Sequence, residues 1–237
     1  MIERHDFENP DQLAFALAGS VARDLGSAIK RRSVASLAVS GGSTPKRFFR
    51  ALAGMKGLDW SKIVISLVDE RWVDTDSCRS NAALVKKYLL DEGAKKALFV
   101  PLYSSGKTPD PAIVRTINAS FEKQVPLPFD ALVLGMGEDG HTASFFPGAK
   151  NLKMVLSDPG PVLPIVAPRT SEQRITMTLP TILNTRNLYL HIEGEEKANS
   201  LQKALAGEEI DQMPIRAVLQ QEKVPLHIFW SPKDCRP

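Results

Sequence analysis

Short apolar runs alternate with amphipathic stretches along nearly the whole chain, and that rhythm narrows the fold more than any other feature. The runs at residues 33–40, 62–68, 129–134, 187–192 and 226–230 are too short for helices and are bounded by turn residues, so they read as buried strands. A shorter one is expected at 98–102. Between them lie helical patterns. Asn9-Pro10-Asp11 opens one in which Leu13, Leu17, Val21, Leu25 and Ile29 recur on one face up to Lys30-Arg31-Arg32. Others are expected at 45–55, 80–90, 111–123, 195–206 and 215–220. Strand alternating with helix predicts an α/β fold with a mostly parallel sheet flanked by helices. Residues 148–168, rich in proline, read as an extended excursion with one short strand at 163–167.

Composition sets further bounds. A chain of 237 residues with 43% apolar content can bury a substantial core, and residues 1–237 are read as one domain. The net charge of +3 is spread among both signs, so no basic face calls for nucleic acid. Cys78 and Cys235 have neither disulfide-framework nor zinc spacing. The start of the chain is too polar for a secretory signal, and no apolar run approaches the ~20 residues of a membrane span. The expectation is a soluble cytoplasmic protein with no membrane or obligatory protein partner.

Three loops at strand ends carry candidate chemistry. After the run at 129–134 comes GMGEDGHTASFFPG (Gly135 to Gly148), whose glycines turn the backbone sharply and present Asp139 and His141 beyond the strand's carboxyl end. Open α/β sheets bind their ligands there. Imidazoles ordinarily titrate near neutral pH, and a carboxylate two residues away can orient the ring, which suits a general base. A histidine that only caps the next segment is the plainer alternative.

Ser40-Gly41-Gly42-Ser43-Thr44-Pro45 joins a strand to a helix. Outward amides at the helix start and two hydroxyls make an anion site, phosphate above all. It matches neither the Walker A loop nor the dinucleotide fingerprint. A tight turn capped by Ser43 or Thr44 would use the same residues, although turn chemistry alone does not require both glycines and both hydroxyls.

Asp69-Glu70-Arg71 follows the strand at 62–68, where a guanidinium can grip phosphate or a developing oxyanion. Arg174 and Lys197 are further candidate cations. Lys197 falls in the first turn of its helix, against the dipole, a mild cost understandable if it faces an anion. Ser80-Asn81 reads as simple helix capping. His5, His191 and His227 read as structural. No H-x-x-x-H pair or carboxylate cluster has metal spacing, so no metal and no cofactor are expected.

Four segments, VSGGSTP (Val39 to Pro45), VDERWV (Val68 to Val73), GMGEDGHTASFFPG, and RITMTLPTIL (Arg174 to Leu183), together with their spacing, resemble the 6-phosphogluconolactonase family across nearly the whole chain. The resemblance implies a Rossmann-like fold shared with glucosamine-6-phosphate deaminase and related to ribose-5-phosphate isomerase. It implies hydrolysis of a sugar-phosphate lactone in the pentose phosphate pathway. It further implies that Gly41, Gly42, Ser43 and Thr44 hold phosphate with Arg174 and Lys197, that His141 is the base and that Arg71 stabilises the oxyanion. Asp139 would orient His141, and Asp69 would contact sugar hydroxyls or fix Arg71. The deaminases of this superfamily carry an acidic residue five positions after the histidine and a tyrosine at the position of Arg71. Phe146 stands in the first place here. Phenylalanine cannot shuttle protons, so isomerisation or deamination is disfavoured. A non-catalytic sugar-phosphate sensor is the other rival, and the intact Asp139/His141 pair speaks against it.

Overall fold

The computed structural model describes residues 1–106 and 108–233; Cys235 lies outside them. Strand β1 (Ile2–Asp6) leads to helix α1 (Pro10–Arg32), β2 (Ala35–Val39) and α2 (Lys46–Ala53). β3 (Ile63–Leu67) runs almost directly into β4 (Asp69–Arg71), and α3 (Asn81–Val85) continues as a wider π-type coil over Lys86–Ala94. Then come β5 (Leu98–Val100), α4 (Pro111–Gln124), β6 (Ala131–Leu134), α5 (Leu152–Ser157), β7 (Val162–Ala167) and β8 (Glu172–Met177). The chain goes on through α6 (Leu179–Leu183), β9 (Leu188–Glu193), α7 (Glu195–Leu205), α8 (Arg216–Leu219) and β10 (Leu226–Ser231).

The six apolar runs and the polar β1 form a seven-stranded parallel sheet in the order β1-β10-β9-β6-β2-β3-β5. Every residue of β2, β3 and β6 is buried, which is why these segments read as unbroken apolar runs rather than alternating ones. From β2 the chain steps outward through β3 to β5, then returns to β2's other side with β6. The direction of winding therefore reverses between β2 and β6, and a crevice opens at their carboxyl ends. Two bonds tie the crevice walls: Ser40 N–H donates to Val133 C=O (2.9 Å), and Gly135 N–H donates to Ser40 Oγ (3.0 Å).

Helix α1 shows how local signals and packing agree. Asn9 Oδ1 accepts from Gln12 N–H at 2.9 Å, and Pro10 occupies the first turn, where a missing N–H costs nothing. Leu13, Leu17, Val21 and Leu25, four apart, are wholly buried on the face that packs against α2, β2 and β10. Each such side chain contributes about 1.5–3 kcal/mol of hydrophobic stabilisation. Ser33, expected to begin a strand, instead adopts φ 63° and ends the helix, donating its N–H to Ile29 C=O.

Five of the named elements, β1, β4, α5, α6 and β8, lie outside the expected pattern. β1 is polar (IERHD) because it is an edge strand with four of its five residues exposed, so burial leaves no period-two imprint. The excursion contains helix α5 besides β7. β7 also belongs to a second, antiparallel sheet of order β4-β8-β7. No helix among the described residues is long and apolar enough to cross a membrane.

Candidate active site

One cavity of about 400 Å³ lies at the crevice between β2 and β6. Gly41, Gly42, Ser43, Thr44, Asp69, Arg71, Asp139, His141, Arg174 and Lys197 all line it, so the structure brings every sequence-derived candidate to one place. Asn81, Arg169 and His191 line it as well.

The loop from β2 to α2 forms one wall. Gly41 admits no side chain, since a Cβ there would fall 1.9 Å from Asn81 Oδ1. Pro45 offers α2 no side-chain cap, so the amides of the first turn keep their donor capacity for an anion. Lys197 reaches across from the first turn of α7, and its Nζ donates to Thr44 Oγ1 at 3.1 Å. Burial pushes the Lys197 pKa down; Glu193 and Glu138 oppose that shift, and Lys233 adds to it. Among the described residues no carboxylate lies within ion-pair distance of Lys197.

The loop after β6 positions the imidazole. Gly137 N–H donates to His141 C=O at 2.9 Å, folding the loop back on itself. A Cβ on Gly137 would sit 2.2 Å from the His141 ring, so glycine lets the imidazole lie against the backbone. His141 Nδ1 is 2.5 Å from Asp139 Oδ1, and His141 N–H donates to the same oxygen at 3.1 Å. The side-chain bond to His141, then the imidazole's charge, its N–H and Arg169, bring the Asp139 carboxyl down to about 2 against the opposing effect of burial. With Nδ1–H donated to Asp139, Nε2 is left for the reacting molecule. Phe146 packs beside this pair, its ring centroid 4.8 Å from that of His141 and 5.1 Å from Arg174 Cζ.

The second sheet supplies the guanidinium groups. Its register sets Arg71 of β4 directly opposite Arg174 of β8, and the β7–β8 turn carries Arg169. The two paired arginines differ in their engagement. Arg174 is committed to carboxylates: Nη2 is 2.8 Å from Glu172, Nε donates to Glu172 at 3.0 Å, and Nη1 is 3.4 Å from Asp69. Arg71 Nη1 donates to the Arg79 carbonyl (2.5 Å), while its buried Nε has no protein partner.

Glu70 is structural. Its carboxylate, buried at the start of α3, accepts from the N–H groups of Asn81 and Ala82 (2.7 Å each) and Arg71 (2.8 Å) and from Ser80 Oγ (3.0 Å). Burial raises its pKa, and those three N–H groups pull the other way.

Sequence reasoning passed over two residues here. Ser80 caps α3 as expected, donated to by Ala83 N–H. Asn81, however, turns its amide toward the cavity and donates to the Asp69 carbonyl at 2.9 Å. Asp69 also accepts from Ser144 Oγ (2.6 Å), so its carboxylate is held from several sides. Arg169 gave no signal, being a charged residue in a turn. His191 is buried, 3.1 Å from Glu193 through Nε2, in keeping with a structural role.

Comparison with known proteins places this architecture among relatives. The model of the family described as glucosamine-6-phosphate isomerases/6-phosphogluconolactonase matches residues 8–230. A 6-phosphogluconolactonase from Rhizobium meliloti is 46% identical over 230 residues, covering 96% of this chain and 98% of its own. One from Pseudomonas putida is 40% identical, covering 98% of this chain and 93% of its own. The crystal structure of a 6-phosphogluconolactonase from Shewanella baltica superposes with a TM-score of 0.94 at 40% identity, covering 98% of each chain. A monomeric glucosamine-6-phosphate deaminase shares the fold at a TM-score of 0.73 and 19% identity, over 95% of this chain and 96% of its own.

Proposed function

This chain belongs to the glucosamine-6-phosphate isomerase/6-phosphogluconolactonase family, and from that premise we propose that it hydrolyses 6-phospho-D-glucono-1,5-lactone to 6-phospho-D-gluconate in the oxidative pentose phosphate pathway. The observation that carries the reading is the Asp139–His141 pair, 2.5 Å apart, in the same cavity as an uncapped helix start and a lysine without a carboxylate partner. One end suits proton transfer and the other suits phosphate.

In this mechanism the α2 amides, Ser43, Thr44 and Lys197 hold the phosphate. His141 Nε2 takes a proton from water as its oxygen attacks the C1 carbonyl, while Asp139 steadies the imidazolium that forms. Charge then develops on the former carbonyl oxygen. Arg71, which lines the same cavity, stabilises it. Collapse re-forms the C1 carbonyl and breaks the bond from C1 to the ring oxygen, which receives the proton from His141. The product is the open-chain acid. Arg174, bound to Asp69 and Glu172, serves by fixing Asp69 toward the sugar hydroxyls and adds long-range positive charge.

Phe146 argues against ring-opening isomerisation or deamination, because it fills the space beside His141 with a ring that cannot exchange protons. The deciding experiment generates the lactone in situ from glucose 6-phosphate with its dehydrogenase and follows its decay with and without the protein, subtracting spontaneous hydrolysis. Acceleration that vanishes in His141→Ala supports the reading. Ammonia release from glucosamine 6-phosphate, with no lactone hydrolysis, would replace it with the deaminase.

A further inference from the structure

The first and last strands bring three metal-ligating side chains together at the sheet edge, and none of them lines the cavity. Glu3 and His5 are two residues apart on β1, so they project to the same side of the strand. Parallel pairing sets Glu3 opposite His227 of β10. The Glu3 carboxylate lies between the two imidazoles: Oε2 is 3.1 Å from His227 Nδ1, and Oε1 is 3.7 Å from His5 Nε2. One ligand atom from each residue lies within 4.8 Å of the others.

Neighbouring rings hold these imidazoles in place. His227 stacks on Tyr189 at 5.5 Å between centroids, and His5 packs against Phe229 at 4.8 Å. Tyr189 is itself anchored, donating its hydroxyl hydrogen to Asp24 at 2.6 Å. The histidine side chains remain 32% and 24% exposed, so an ion and a water can reach them.

Two imidazoles and one carboxylate form a donor set suited to zinc, with water in the fourth position. Ligand atoms about 2.0–2.1 Å from a tetrahedral ion stand about 3.3 Å from one another. The separations of 3.1 and 3.7 Å, made through different oxygens of Glu3, bracket that value, and with one ligand atom from each residue within 4.8 Å of the others, side-chain rotation is what must bring the three onto one ion. We propose that Glu3, His5 and His227 bind a divalent cation of the zinc class, and that the ion fastens the edge strand β1 to β10. The site is independent of the lactone-hydrolysis reading.

The test uses protein without an affinity tag, titrated with Zn²⁺ by calorimetry and with Co²⁺ by visible absorption. The expected result is saturable one-to-one binding, a tetrahedral-type Co²⁺ spectrum, and a Tm that rises with free Zn²⁺. His227→Gln and His5→Gln should each abolish all three while leaving metal-free lactone hydrolysis unchanged. Glu3→Gln, at a side chain 60% exposed, probes the same site without disturbing a packed ring and should weaken binding. Absence of saturable binding overturns the proposal. So does binding that survives all three substitutions, which would put the ion elsewhere, for example at Asp139–His141.

Discussion

The two sheets divide the work of the cavity unequally. The parallel sheet supplies the glycine-rich loop after β2 and the histidine loop after β6, tied at the winding reversal by hydrogen bonds through Ser40 and Gly135. The antiparallel sheet supplies Arg71, Arg169 and Arg174. Within it, register alone brings two like charges side by side, and the carboxylates of Asp69 and Glu172 neutralise one of them. On the proposed reading, the parallel sheet would place the reacting centre and the antiparallel one the cations around it.

The largest effects should come from the parallel-sheet side. His141→Ala is expected to lower kcat by about 10²–10⁴-fold. Steady-state kinetics on the in situ lactone measures it, and a loss smaller than tenfold would break the assignment of the base. Next come the paired arginines, which should behave differently. Arg71→Ala removes the donor aimed at the oxyanion and should lower kcat by roughly 10²–10³-fold with little change in KM. Arg174→Ala releases Asp69 and should act mainly on KM. Equal kcat losses in the two variants would erase the distinction drawn from their different partners.

The same division governs what could be read from sequence. β2, β3 and β6 were legible because burial on both faces makes a strand apolar throughout, and glycines flagged the loops beyond them. β8 was not: its first half (Glu172, Gln173, Arg174) is partly exposed beside the cavity and its second half is buried, so neither alternation nor an apolar run results. Arg71 and Arg174 could be named as cations, but only the β4–β8 register shows that they are neighbours. Asn81 looked like a cap because Ser80 before it is one, and nothing local reports that its amide holds Asp69. Glu3 and His227 lie at opposite ends of the chain, and pairing at that separation leaves no spacing signature.

A smaller effect tests the phosphate end. Lys197→Met keeps the buried stem but removes the charge, so KM should rise about ten- to a hundredfold, matching the roughly 1.5–3 kcal/mol of a charged hydrogen bond. Its kcat should stay near the parent's. A matching fall in kcat would mean that Lys197 acts at the reacting carbon, and the separation between phosphate end and proton-transfer end would fail.

The smallest effect is on stability and isolates the Asp139–His141 pair without substrate. The folded-state pKa of Asp139, about 2, lies below its ordinary 3.8, so the unfolded chain binds the proton more readily between those values. The pair's stabilisation is therefore complete above pH ~4 and is lost as pH falls through about 2. At about 1.4 kcal/mol per unit the shift bounds the effect near 2 kcal/mol, and solvent screening of a side chain 23% exposed reduces it to about 1 kcal/mol. Urea midpoints of the parent and Asp139→Asn, compared stepwise across that range, should differ at the upper end and converge at the lower. A gap that does not change with pH would mean the two side chains meet without an ionic interaction, and Asp139 would then orient the ring but contribute little to holding its charge.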